Sequence, residues 1–486
     1  MTGSSEPAPT SHGNSIGGQR LPARLGETYE RRNPARLSEV VGRFAASDAS
    51  DVADAVAAAA AAQPAWAALP AAARGAVLAR AARALETRLE RVADDMTAEM
   101  GKPVREARGE TGRGVSILEY FAGEGYRAVG EVYEQSAKRS PVYTTRRPVG
   151  VVGLITPWNF PIAIPLWKLS PALAYGNTVV LKLAYDSPRT GLQIAECFEE
   201  AGLPAGVLNV LTGPGSVVGS ALVADDSVDA ISFTGSVPVG ESVRERATSR
   251  GARVQLELGG HNPLVVTARA DLDAAVEAAF AGAFWSAGQK CTATRRIYVQ
   301  RTVYDAFREK LLARVESGHV GDPTDPQTEV GPLVNERQLA DVLAAIERGR
   351  SEGGRVIAGG DRIGDEGCFV APTVFEDVAD DAFLSCEEVF GPVTSLYAFD
   401  QLDEALERAN GVPFGLAASI YTQDLREARQ FVGSARAGIL HVNSQTAGAE
   451  VHVPFGGIRA SGYGPHEQGR AAIEFYTDLI TVYEDD

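Results

Sequence analysis

From about residue 149 onward, short apolar runs alternate with longer stretches of helical periodicity. Residues 149–155, 178–183, 207–211 and 230–233 are almost continuously apolar over strand length. Residues 162–175 and 189–201 have helical length; Pro165 and Pro171 interrupt the first, Gly176 follows it, and Gly202 and Pro204 end the second. Strands that are apolar on both faces and joined by helices imply a parallel sheet covered on either side. Such sheets bind ligands beyond the carboxyl ends of their strands. Two loops fall at such ends, Thr156-Pro157-Trp158-Asn159-Phe160-Pro161 and Thr234-Gly235-Ser236.

Elsewhere the pattern is less specific. The Ala-rich run 52–85 is broken by Gln63, Pro64, Pro70 and Arg74 before it could span a bilayer, and reads as two amphipathic helices. Residues 1–18 are rich in Ser, Thr, Pro and Gly, without the apolar core of a signal peptide, and read as a disordered tail. Residues 142–147 alternate like a hairpin strand, and 472–483 ends in another β-prone run. Two exposed strands call for a partner sheet, so a homodimer or homotetramer is expected.

Composition narrows the class. A chain of 486 residues with 45% hydrophobic content can bury large cores, and its length suggests about three domains. The formal charge of −17 argues against a nucleic-acid partner, which would require a basic face. Cys197, Cys291, Cys368 and Cys386 are dispersed with no CxxC pair, so neither a disulfide framework nor a metal site is indicated, and a reducing cytoplasm is expected.

Candidate chemistry centres on Cys291, which lies 34 residues after Glu257. A thiol ionises more readily than a hydroxyl, and a carboxylate across a cleft can activate the water that releases a covalent product. The alternative is that Cys291 is one more small buried apolar residue. Gly213-Pro214-Gly215-Ser216-Val217-Val218-Gly219 approximates a dinucleotide loop, but its last glycine comes one position late and Pro214 removes an amide. Ser236 either receives a pyrophosphate at a helix start or is an ordinary N-cap. Lys182 reaches a ribose or phosphate, or is an exposed strand-end lysine.

The joint occurrence of PWNFP, FTGSxxxG, ELGG, GQKC, EEVFGP and PFGGxxxSGxG, in that order from about Asn33 to the C-terminus, resembles the aldehyde dehydrogenase family. The resemblance implies an α/β fold: a Rossmann-type cofactor domain (19–128 and 150–258), an α/β catalytic domain (259–467) and a β oligomerisation arm (129–149 and 468–486). It implies that Cys291 attacks the aldehyde, that Asn159 and the Cys291 amide hold the oxyanion, and that Glu257 activates water. Glu257 also favours hydrolysis over transfer to coenzyme A, because acylating relatives lack a carboxylate there.

Cofactor contacts carry over as Trp158 and Lys182 on the adenosine side, Ser236 at the pyrophosphate, and Glu388 and Phe390 at the nicotinamide. Thr156, Pro157, Tyr185, Gly215, Gly219, Phe233, Gly235, Leu258 and Gly259 complete that set. NAD-preferring members often carry a glutamate where this chain has Tyr185, so the expected cofactor is NADP or NAD, with NADP accepted and a candidate for preference. His261, where the family usually has lysine or asparagine, is expected to affect packing alone. Segments 149–182, GQKCTAT and 443–450 resemble the 2-oxoglutarate semialdehyde (2,5-dioxopentanoate) dehydrogenases. The implied substrate tunnel comprises Arg113, Phe160, Ile164, Trp167, Trp285, Lys290, Thr292, Ser444 and Gln445. Arg113 either pairs with a distal carboxylate or is a surface arginine. Succinate semialdehyde and aromatic or aliphatic aldehydes stay open.

Overall fold

The computed structural model describes residues 10–137 and 139–485. The first sheet has eight strands, in the order Gly462–Tyr463, Arg253–Glu257, Ala230–Thr234, Val151–Ile155, Thr178–Lys182, Leu208–Leu211, Asn14–Ile16 and Gln19–Leu21. Its five central strands are parallel. Nearly every residue in them is buried, which is why they read as apolar runs without alternation.

From Val151–Ile155 the chain winds to one side through Thr178–Lys182 and Leu208–Leu211. It then crosses back to place Ala230–Thr234 on the other side. Strand order therefore reverses between Val151–Ile155 and Ala230–Thr234, and their outgoing loops diverge to open a crevice at the carboxyl edge. These are the loops that begin at Thr156 and Thr234.

A second, seven-stranded sheet runs Arg355–Ala358, Thr373–Glu376, Val393–Phe399, Thr294–Gln300, Asn262–Val266, Ala417–Tyr421 and Ile439–Val442. All of its pairings are parallel except that of the first two strands. Each sheet has its own apolar core. In a separate three-stranded sheet, Pro141–Pro148 pairs antiparallel with Val132–Glu134 and with Thr477–Tyr483.

The Ala-rich run forms helices Ala49–Ala67 and Ala71–Thr87. The first starts where Asp48 accepts the amides of Ser50 and Asp51 while Asp51 returns the bond, a capping box that fixes the helix start. No described helix is long and apolar enough to cross a membrane.

The reading of residues 1–18 as a disordered tail needs correction. Asn14–Ile16 is a buried strand next to Leu208–Leu211, and Asn14 Oδ1 accepts from the Thr212 amide at 3.1 Å and from Ser47 Oγ at 3.0 Å. Polar composition concealed it because its partners lie far away in sequence. Residues 1–9 of that tail lie outside the described residues.

Candidate active site

Cys291 lies in the turn before strand Thr294–Gln300, at the wall of a cavity of about 320 Å³. The preceding backbone is strained: Ser286 and Ala287 have φ of 57° and 52°, a left-handed conformation that non-glycine residues seldom adopt. Glu106 holds this turn by accepting the Ser286 amide at 3.0 Å and its hydroxyl at 2.6 Å. At Gly288 (φ 68°) a Cβ would meet the Gly391 oxygen at 2.1 Å, so glycine is required there. Asn262 Nδ2 donates to the Cys291 carbonyl at 2.8 Å. Burial pushes the Cys291 thiol up to about 12, helped by the carboxylates of Glu388 and Glu257.

Asn159 shares this cavity. Its Nδ2 donates to the Gln289 carbonyl at 3.0 Å and keeps a second hydrogen for another acceptor, while Oδ1 has no partner among the described residues. Beneath it, Lys102 and Glu110 form a buried ion pair; Lys102 Nζ also donates to the Asn159 carbonyl at 2.8 Å, and Glu110 accepts the amides of Ile162 and Ala163.

Glu257 ends its strand, is 4% exposed, and leaves Oε2 without a partner. Its carboxyl is held well above the usual range, first by burial and then by Glu467, with Lys168 opposing. Lys168 and Glu467 are themselves a buried ion pair, and both reach the Ser232 hydroxyl. None of Lys102, Glu110, Lys168 or Glu467 emerged from the sequence reading. Lys168 did leave a signal, as the one charged residue in the otherwise apolar run 162–175.

The crevice offers a fitting cradle for a dinucleotide. The Cys291 cavity is lined also by Pro157, Trp158, Gly235, Ser236, Leu258, Gly259, Glu388 and Phe390, all expected as cofactor contacts, by Ile164, expected in the substrate tunnel, and by Thr234, which was not expected. Gln338, which lines it too and donates to the Phe390 carbonyl at 2.9 Å, is also new. A second cavity of about 460 Å³ is lined by Gly215, Ser216 and Gly219 and by Ile155, Phe233 and Val239, an apolar slot suited to a flat base.

Ser236 occupies the N-cap position of helix Val237–Ser249, yet its hydroxyl caps no amide. The Thr156 and Thr234 hydroxyls are buried without partners among the described residues. Lys182 makes no hydrogen bond among the described residues, and burial lowers its amine to about 8. Gly259 is a close-approach position, because a Cβ there would meet Glu388 Oε2 at 2.2 Å. Tyr185 stacks on Tyr29, with ring centres 4.0 Å apart.

The expected tunnel residues do not all gather at the Cys291 cavity. Ile164 lines the cavity, and Trp167 packs on Phe455 at 5.3 Å with its Nε1 unpartnered. Arg113 is half-buried, far from the surface arginine considered above, and no carboxylate lies within ion-pair distance among the described residues. Gln445 Oε1 is buried without a partner, while Ser444 is exposed and bonds to His441 Nδ1 at 3.2 Å. Phe160 lies under the Lys102 ammonium at 4.0 Å, and Trp285 packs against Arg105.

One expected contact needs correction. The Lys290 ammonium is turned away to the Ala281 carbonyl at 2.8 Å, near the end of helix Leu272–Phe284, where the helix dipole favours a cation. Thr292 is buried, and its carbonyl accepts from Thr446 Oγ1 at 2.7 Å.

A sequence model of the aldehyde dehydrogenase family matches residues 22–482. The chain is similar to the alpha-ketoglutaric semialdehyde dehydrogenase of Bacillus subtilis (strain 168), with 46% identity over 474 residues, 97% of this chain and 97% of that protein. It superposes on the crystal structure of an NAD-dependent aldehyde dehydrogenase from Sinorhizobium meliloti with a TM-score of 0.96 and 37% identity, covering 98% and 95% of the two chains. An NADP-dependent enzyme of E. coli gives a TM-score of 0.94 and 38% identity, covering 97% and 98%.

Proposed function

The chain belongs to the aldehyde dehydrogenase family, and from that premise we propose that it oxidises an acidic semialdehyde, 2-oxoglutarate semialdehyde above others, to the carboxylic acid. The observation that carries this reading is Arg113, half-buried and with no carboxylate within ion-pair distance among the described residues. A guanidinium in that setting favours a ligand that brings its own carboxylate. The similarity to the Bacillus subtilis enzyme supports the same class of substrate.

The Cys291 thiol gives its proton to solvent water, and its sulfur bonds to the aldehyde carbon. The new oxyanion takes the free Asn159 Nδ2 hydrogen and the Cys291 amide, donors aimed where charge develops. When bound, NAD or NADP supplies the acceptor for the hydride that leaves this carbon. A thioester then remains on Cys291. Glu257 takes a proton from water as the water oxygen bonds to the thioester carbon, the carbon–sulfur bond breaks, and the acid departs. Lys168 and Glu467 set the charge around Glu257.

Lys182 and the free Ser236 hydroxyl would hold the ribose and the pyrophosphate, with Glu388 and Phe390 at the nicotinamide end. Thr477–Tyr483, at one edge of its sheet with Leu479 and Tyr483 exposed, supports a homodimer or homotetramer. Four free thiols fit a cytoplasmic enzyme.

The test is the initial rate of reduced-nicotinamide formation with 2-oxoglutarate semialdehyde, succinate semialdehyde, a medium aliphatic aldehyde and benzaldehyde, each with NAD and NADP. Cys291→Ala serves as the control. Highest kcat/KM for the oxo acid supports the reading; a neutral aldehyde ahead by about tenfold, or 1.4 kcal/mol, rejects the substrate.

A further inference from the structure

Gln468 occupies a backbone conformation that suits glycine alone. Its φ of 61° and ψ of 171° lie in a region that a Cβ disfavours, and it is 1% exposed. Such strain persists where the surroundings require that side chain in that place. Gln468 Oε1 accepts a hydrogen bond from Arg113 Nη2 at 3.4 Å. A guanidinium has no acceptor, so the amide must turn its oxygen to Arg113. Nε2 is thereby left over, and it is buried with no partner among the described residues.

The backbone ties this pair to the reacting centre. Glu467, one residue earlier, exchanges both main-chain hydrogen bonds with Phe455, at 2.7 and 2.8 Å. The Phe455 ring packs on Trp167, and a Cβ on Gly456 would come within 3.0 Å of Glu257 Oε1. Arg113 and Gln468 are thus linked through the main chain to the segment that packs against Glu257. The carboxylates that act on the guanidinium are Glu450 and Glu110, and Glu110 is committed to Lys102.

We propose that Arg113 and Gln468 together read a 2-oxo acid: the guanidinium takes the distal carboxylate, and Gln468 Nε2 donates to the 2-oxo oxygen. This rests on the acidic-semialdehyde reading above and adds the group that separates a 2-oxo acid from a plain dicarboxylic semialdehyde. A methylene at that carbon leaves a buried donor unpaired, which penalises the wrong substrate more than it rewards the right one.

Three five-carbon aldehydes separate the two claims: 2-oxoglutarate semialdehyde, glutarate semialdehyde, which lacks the 2-oxo group, and pentanal, which lacks the carboxylate as well. We expect kcat/KM of the wild type to fall by about tenfold or more at each step. In Gln468→Leu the ratio of the first two aldehydes should approach one, while the ratio of glutarate semialdehyde to pentanal is kept. Arg113→Ala should collapse the second ratio. Gln468→Gly removes the same amide and the backbone strain, so it provides the reading if the leucine variant fails to fold.

If the wild type separates the two acids and both Gln468 variants still do, the proposal is overturned and the acidic reading stands. The same holds if the wild type treats the two acids alike but prefers both to pentanal. If pentanal matches both acids, the acidic reading itself fails, and this proposal with it.

Discussion

Lys102 Nζ donates to the main-chain oxygen of Asn159 at 2.8 Å, so the loop in which we place the oxyanion donor is anchored to a charge buried beneath it. Lys102 and Glu110 have side chains only 1% and 2% exposed. Removing one partner strands the other without water. Lys102→Ala is expected to destabilise the fold by about 3–5 kcal/mol, and Lys102→Ala with Glu110→Ala by less than the sum of the two single changes. Denaturant unfolding of the three variants measures this, and simple additivity would show that the pair is not coupled.

Glu257→Gln retains the shape of the base but cannot accept a proton. Formation of the thioester should survive and its hydrolysis should slow by about a hundredfold or more. Rapid mixing should then show a burst of close to one reduced nicotinamide per site, followed by slow turnover. If the burst is lost together with the steady state, Glu257 is needed before hydride transfer.

The pH profile follows from two raised groups. Burial and nearby carboxylates push the Cys291 thiol up to about 12, and burial with Glu467 raises Glu257. The active forms of both are deprotonated, so lowering the pH removes them and raising it restores them. Activity should therefore keep rising through the alkaline range, without levelling off below a pH of about 12. Glu388→Gln removes a negative charge acting on the thiol, and the limb should move to lower pH. A limb that stays in place would remove Glu388 as a cause.

Tyr185 stacks on Tyr29 beside Lys182 and supplies no carboxylate. Tyr185→Glu introduces one that repels a 2′-phosphate and accepts ribose hydroxyls. The NADP-to-NAD ratio of kcat/KM should drop by about tenfold or more. An unchanged ratio would mean that this position does not face the ribose.

The sequence by itself determined the strands of the nucleotide crevice, its two chemically loaded loops, and the residues Cys291, Glu257 and Asn159. Apolar runs report burial on both faces of a sheet, and short motifs report turns, so local pattern is enough for these. Family resemblance, later matched by the comparisons, supplied their roles and the subgroup. Other features were decided only by folding. Lys290 belongs to the same GQKC segment as Cys291, yet its ammonium turns to a helix end that no local pattern reveals. Asn14–Ile16 looks like a loose tail until Leu208–Leu211 pairs with it. Lys168 meets Glu467 across 299 residues, and Arg113 meets Gln468 across 355. Partners this distant are selected by packing, since a charge or amide taken out of water must find its complement wherever the chain's topology delivers one.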